Sequence, residues 1–324
     1  MMGDNEETII MKVPQYGKAS FTQIIHQSLP YIKRQAALSR SDLIVFAYED
    51  TIPLQVLHLE QHKNDIKSII LGRHTQCPLR LTDPHVSLRH LVLILYPQNI
   101  NFQYQLIDLN SNTGFTVDDK VCLSMWANGT AFIRIFQYNL IFIAPTQVDW
   151  QVDNAQIIKQ LTERIYEGSP VPRIASKAIK IEGPEELEEP QESDSTNFEN
   201  TSRITFKLPP VWLKDSTTEL PRAEIKIHFK QNRKHILIDE SQLERGILVG
   251  RYERCGIFFS SHDEYNPISR VHCLFISING VMYVIDTAST NGTSVAHKPI
   301  QQCALPKASL IILAESLFIS WIEV

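Results

Sequence analysis

Two stretches of this chain repeat one another in the order and rough spacing of their blocks. The first runs Ile69-Ile70-Leu71-Gly72-Arg73, then Val86-Ser87-Leu88-Arg89-His90, Leu106-Ile107-Asp108 and Ser111-Asn112-Thr113-Gly114. The second runs Ile247-Leu248-Val249-Gly250-Arg251, then Ile268-Ser269-Arg270-Val271-His272, Val284-Ile285-Asp286 and Ser289-Thr290-Asn291-Gly292-Thr293. Self-similarity of this kind implies a duplication, and so two modules of one architecture. Each repeat lies in a background of short apolar runs. In the first these are Leu43–Tyr48, Ser68–Leu71, Leu91–Tyr96, Tyr104–Asp108 and Leu140–Ala144, separated by Asn, Asp, Pro and Gly. In the second they are Ile225–Phe229, His235–Ile238, Ile247–Gly250, Cys273–Ile278, Val281–Asp286, Leu310–Leu313 and Leu317–Ile322. Evenly spaced short strands with turn punctuation predict all-β, antiparallel sandwiches. Asn279-Gly280 predicts a tight hairpin.

Outside the repeats the texture changes. Residues 20–38 carry Phe21, Ile24, Ile25 and Leu29 near helical spacing, interrupted by Pro30. A second helix is expected from Asp153, which forms a capping box with Gln156. Its stripe of Ile157, Ile158, Leu161 and Ile165 would pack on the preceding β module, with Gly168 and Pro170 ending it. Residues 181–200 contain eight acids and no Lys or Arg, the composition of a flexible, disordered linker. The expected organisation is therefore an N-terminal partly helical extension (1–40), a β module (41–150), a helix with an acidic linker (151–205) and a second β module (206–324).

Composition narrows the function. Hydrophobic residues make up 43% of 324, enough for buried cores. A net charge of -5 argues against a general nucleic-acid binder. No apolar run approaches the length needed to span a bilayer. The Met-Met-Gly-Asp-Asn-Glu-Glu start lacks the features of a signal peptide, so a cytoplasmic protein without membrane insertion is expected. The five scattered cysteines fit reduced thiols. A zinc site from Cys255, His262 and Cys273 would match no common spacing, and no metal or other cofactor is expected.

The repeated blocks resemble the forkhead-associated (FHA) domain, whose signature is Gly-Arg, then Ser-Arg-x-His, then Ser-x-Asn-Gly-Thr. The likeness covers roughly two thirds of the chain, and the second copy matches every signature position. It implies β-sandwiches whose loops at one end bind phosphothreonine peptides. Arg251 is then the phosphate grip, since a guanidinium is planar, always charged and able to pair with two oxygens. Ser269 and Thr290 offer hydroxyls from two further loops, and Asn291 has the donor and acceptor to clamp a ligand main chain. Arg270 either adds a second charge or braces its loop. Gly250, His272, Gly292 and Thr293 would support the site, with His272 bracing loops by family analogy.

The sequence departs from the pattern in places. After Thr293 the usual Val-Asn-Gly becomes Val295-Ala296-His297, and the loop from Arg251 to Ser269 is long. The first copy keeps Arg73, Ser87 and His90. It has Leu88 in place of the arginine, Thr113 in place of the clamping Asn, and Phe115 in place of the Thr. Arg73, Ser87, Asn112 and Thr113 thus form a partial second site, open to weak phosphate binding or to a structural role. Tyr48 and Trp126 are read as core residues in preference to parts of an interaction surface on this module.

The expectation is a non-catalytic adaptor in Ser/Thr-kinase signalling that binds phosphothreonine-containing proteins, with its own linker at Thr196 and Thr201 as one such ligand. The alternative is a structural subunit of a larger assembly that uses its FHA folds without phosphate. No phosphate-cradling Gly-Lys loop, zinc-protease helix or Gly-x-Ser-x-Gly elbow occurs, and His262-Asp263-Glu264 near Ser269 gives no triad geometry by proximity alone.

Overall fold

The computed structural model describes residues 19–38, 40–61, 63–97, 102–163, 171–172, 203–206, 221–229, 232–260 and 267–324. Among the described residues the regular structure is mostly β-strand, in two sandwiches that are antiparallel except where Lys67–Gly72 pairs with Leu79–Arg80 and Ile247–Gly250 with Ile257–Ser260. In the first, one layer contains Ile52–Leu59, Leu43–Glu49, Tyr138–Ile143 and Ala131–Ile135. The other contains Lys120–Ala127, Tyr104–Asp108, Leu91–Leu95 and Lys67–Gly72. Phe115–Val117 pairs with a strand of each layer and joins them. In the second, Ile257–Ser260, Ile247–Gly250, Cys273–Ile278, Val281–Asp286 and Gln302–Ala304 form one sheet. Asn232–Ile238, Ala223–Phe229, Leu317–Glu323, Ala308–Leu313, Thr293–Val295 and Lys298–Ile300 form the other. The hairpin at Asn279-Gly280 has positive φ at both residues (52° and 75°), as a type I′ turn requires.

Alternate side chains of each strand fill its sandwich core, and the remaining faces explain the rest of the molecule. Leu43, Val45 and Ala47 point into the first core, while Ile44, Phe46 and Tyr48 point to the other side. That outer face is covered by the helix Phe21–Leu38, through Phe21, Ile24, Ile25, Leu29 and Ile32. Ser20 starts this helix by accepting the Gln23 N–H at 3.1 Å, and Pro30 sits inside it. A second helix, Asn154–Thr162, adds Ile157 and Leu161 to the same cluster. Asp153 accepts the Gln156 N–H at 2.9 Å, so half of the expected capping box forms. This helix is shorter than expected. It ends at Thr162, and Ile165, Gly168, Pro170 and the acidic stretch 181–200 lie outside the described residues. A short helix that the apolar periodicity does not signal, Glu240–Arg245, opens with a complete capping box between Asp239 and Gln242.

The two sandwiches pack against each other through equivalent sheets. Val92, Ile94 and Ile107 of the first join Leu274, Ile276, Ile278 and Ile285 of the second in one buried apolar cluster. Trp126 packs at its edge, edge-on to Tyr96 with ring centres 4.9 Å apart. At one margin the Ser68 N–H and hydroxyl both donate to Gln302 Oε1, at 2.7 and 2.6 Å, and Gln302 Nε2 donates to the Ile66 carbonyl. This interface accounts for two sequence runs, Leu91–Leu95 and Cys273–Ile278, in which every residue is buried. Strands covered on both faces read as continuous apolar runs rather than alternations. By contrast Ala223–Phe229, the counterpart of Leu43–Glu49, alternates buried with exposed or half-buried residues and leaves one face to solvent.

Among the described residues no helix is long and apolar enough to cross a membrane, and no cluster of His, Cys, Asp and Glu is placed to hold a metal. Ile276→Ala, in the middle of the inter-module cluster, is expected to lower unfolding free energy by about 2–5 kcal/mol. Urea unfolding of the full chain measures this, and a loss under about 1 kcal/mol would mean that the two faces do not pack closely.

Candidate functional site

Three loops of the second module meet at one end of its sandwich: 251–256, 267–272 and 287–292. Backbone bonds tie them together. The Arg251 N–H donates to the Ser269 carbonyl (3.1 Å) and the Tyr252 N–H to the Arg270 carbonyl (3.0 Å). The Thr287 N–H donates to the His272 carbonyl (3.0 Å). Gly250 allows this close approach, because a Cβ there would overlap the Arg270 carbonyl oxygen.

His272 is wholly buried between the loops. Its Nδ1 accepts the Ser269 N–H at 3.1 Å, so the ring proton sits on Nε2, which donates to the Gly292 carbonyl at 2.9 Å. Burial holds its pKa below the ordinary histidine value, despite the opposing effect of the Gly292 bond, and keeps the ring neutral. His90 repeats the arrangement in the first module, with the Ser87 N–H (3.3 Å) and the Gly114 carbonyl (2.7 Å). Burial lowers the His90 pKa to about 4.

The third loop is organised by Asp286. Its carboxylate accepts the Ser289 N–H (2.7 Å), the Ser289 hydroxyl (2.6 Å) and the Thr293 hydroxyl (2.6 Å). Ala288 takes a left-handed φ of 58°, and Gly292 one of 76° with open space where a Cβ would stand. The loop thereby presents Thr290 and Asn291 at the surface. The Thr290 N–H donates to Ser269 Oγ at 3.0 Å, and the two hydroxyl oxygens lie 3.5 Å apart. Asn291 Nδ2 donates to the Pro267 carbonyl at 2.8 Å, which leaves its Oδ1 facing outward from that bond. Ser269 is buried, whereas Arg251 and Arg270 are exposed. The Arg251 side chain has no hydrogen bond or ion pair among the described residues.

Arg251, Ser269, Arg270, Thr290 and Asn291 are thus all carried on the three joined loops. The segment 261–266, including His262, lies outside the described residues, as do Thr196 and Thr201. Asp286 stood in the repeat without an assigned role; its signal was an acid fixed three residues before Ser289 in both copies, as Asp108 is before Ser111. Burial raises the thiol pKa of Cys77 to about 11 and of Cys255 to about 12, whereas Cys303 is only partly buried.

In the first module the same loops are joined, with the Arg73 N–H on the Ser87 carbonyl (3.0 Å) and the His74 N–H on the Leu88 carbonyl (2.9 Å). The Arg73 side chain is more engaged: its Nε donates to the Val86 carbonyl at 3.1 Å. Ser111 binds Asp108 through both its N–H (3.0 Å) and its hydroxyl (2.5 Å), and its oxygen accepts the Gly114 N–H (2.7 Å). That last bond takes the place of the Thr293 contact, because Phe115 has no hydroxyl and is buried in the core instead. Asn112 and Thr113 are exposed on this loop.

Fold and loops together define a duplicated β-sandwich protein with a polar site at one loop end. The FHA domain family model matches residues 69–130 and again residues 247–314. The chain therefore carries two FHA domains in tandem, the second with the full motif and the first degenerate. FHA domains are recognition modules rather than catalysts. Similar solved structures include the first FHA domain of Rv1747 from Mycobacterium tuberculosis, 15% identical, covering 32% of this chain and 97% of that one with a TM-score of 0.25. Another is the FHA domain of CT664 from Chlamydia trachomatis, 20% identical, covering 32% and 98% with a TM-score of 0.27. A third comes from a study of phosphothreonine-dependent FHA domain interactions, 20% identical, covering 31% and 97% with a TM-score of 0.24. No curated protein matches the chain.

The buried neutral imidazoles make stability depend on acidity. The folded-state pKa of His90 is about 4, below its unfolded value of 6.5. Its contribution is complete above pH 6.5 and is lost as pH falls towards 4. Urea unfolding at pH 7 and pH 4.5 is expected to differ by roughly 2–3 kcal/mol from this group alone. Unchanged stability would mean that His90 is protonated in the folded chain.

Proposed function

We propose that this chain is a cytoplasmic adaptor in Ser/Thr-kinase signalling whose second module, residues 206–324, binds phosphothreonine peptides. The observation that carries the reading is the exposed Arg251 guanidinium, uncommitted among the described residues, beside loops whose backbone is already joined. Arg251 grips phosphate through paired charge-assisted bonds, and Ser269 and Thr290 supply hydroxyls behind it. Arg270 adds a second positive charge at the rim. Asn291 clamps the ligand main chain, its orientation held by the Pro267 carbonyl. Gly250, His272, Gly292 and Thr293 keep the three loops in place. The natural ligands are phosphothreonine-containing proteins, with Thr196 and Thr201 of the chain itself as intramolecular candidates.

The remaining segments take supporting parts: residues 1–40 and 151–205 as a helical cover and linker, residues 41–150 as a mainly structural FHA module. The partial site at Arg73, Ser87, Asn112 and Thr113 is the weaker one, since Arg73 Nε is spent on its own loop. A phosphate-independent assembly role is favoured for this first module by the replacement of its clamping Asn with Thr113.

The test is titration of the full chain with matched phosphorylated and unphosphorylated threonine peptides. Binding that requires the phosphate is expected, and Arg251→Ala should weaken it by roughly 100-fold, the loss of about two charge-assisted hydrogen bonds. Equal binding of both peptide forms, or no effect of Arg251→Ala, overturns the assignment.

A further inference from the structure

We propose that the first module is a built-in brace for the second module's site, acting through Arg89, Asn110 and Ser111; this rests on the phosphothreonine reading and extends it. The starting point is a one-residue displacement between the repeats. The second copy reads Ser269-Arg270-Val271-His272 and the first Ser87-Leu88-Arg89-His90, so the arginine stands one place later. Burial shows which way each position faces in these bent segments. Arg270 accordingly points to solvent, and its counterpart Leu88 is 46% exposed, while Val271, the counterpart of Arg89, is buried. Arg89 is thereby aimed inward, towards the other module.

There the Arg89 side chain is half-buried, and its Nε is wholly enclosed without a hydrogen-bond partner among the described residues. Burial works against the guanidinium's charge and holds its pKa below the usual arginine value, the nearby Asp286 carboxylate opposes this in part, and the Arg89 charge also bears on His272. Asp286 is the carboxylate that holds Ser289 and Thr293, and with them the loop presenting Thr290 and Asn291. A positive charge from the first module thus backs the acid that shapes the second module's third loop. The second module returns no such charge, because Val271 occupies the matching place.

The loop after Arg251 is held across the same interface. Arg254 Nη1 donates to the Ser111 carbonyl at 3.5 Å, with its guanidinium 5.2 Å from the Tyr252 ring centre. Asn110 Nδ2 reaches Cys255 Sγ at 3.9 Å, and Asn110 itself has a left-handed φ of 56° that turns its amide into the interface. The loop after Arg251 therefore carries two ties from the first module, and Asp286 at the base of the third loop feels the Arg89 charge. The remaining loop is bonded to both of them from within. Ordering loops before a ligand arrives removes that cost from binding. Arg89, Asn110 and Ser111 are positioning residues in this scheme and do not touch the ligand.

The experiment uses the full chain with Arg89→Leu, Asn110→Gly and Arg89→Lys. Leucine fills the space without charge, glycine keeps the left-handed backbone without the amide, and lysine restores the charge. Amide hydrogen exchange is followed at Ser289 and Thr290 in the unliganded protein, and affinity is read with a phosphothreonine peptide. Arg89→Leu and Asn110→Gly are expected to quicken exchange at these loop amides and weaken affinity about 5-fold or more. Arg89→Lys should recover part of both. General destabilisation would instead quicken exchange across the whole second module. Wild-type loop exchange in Arg89→Leu overturns the brace. A wild-type chain that binds no phosphopeptide sinks the phosphothreonine reading, and loop exchange then decides the brace by itself.

Discussion

A β-sheet has two faces, and a sandwich covers only one of them. The arrangement of this molecule depends on how the other faces are covered. In the first module both outer faces are apolar. One receives the helices Phe21–Leu38 and Asn154–Thr162, and the other receives the equivalent sheet of the second module. Fully burying an Ile or Leu side chain contributes about 1.5–3 kcal/mol, so the meeting of Val92 and Ile94 with Leu274 and Ile276 is a strong constraint. It joins two copies of one fold as like against like, in the manner of an isologous interface within one chain.

That packing has consequences at the loop end. Each module uses a buried neutral histidine to hold two loops and an aspartate to shape a third. These groups are satisfied within their own module. What the interface adds is a set of contacts between the modules' loops, with Asn110 and Ser111 meeting Arg254 and Cys255. The copies have diverged around this shared scaffold. The second keeps an exposed arginine pair, Arg251 and Arg270, on its loops. The first has one arginine bonded to its own backbone and another, Arg89, half-buried with its Nε enclosed.

Much of the strand plan was legible in the sequence, because apolar runs and turn residues are local signals. Tyr104–Asp108, Ile247–Gly250, Cys273–Ile278 and Val281–Asp286 form over the ranges read from the sequence. Ile52–Leu59 and Lys120–Ala127 escaped, being largely exposed or half-buried at most positions and so without a strong apolar pattern. The helix from Asn154 was recognised by its cap and stripe but ends sooner, at Thr162. The three loop blocks were visible as motifs. The hydrogen bonds that connect them were not, since the residues involved lie some 20 positions apart, as Ser269 and Thr290 do.

The sequence by itself determined the duplication, the all-β sandwich class and the FHA motif, because each is written in short-range order and spacing. Only the tertiary structure decided that the two modules share one apolar interface, that Asp286 anchors the third loop, and that Arg89 faces the second module. The physical reason is that a continuous apolar run announces burial on both faces without naming what covers them. The partner of a face is chosen by shape and charge brought together from distant parts of the chain.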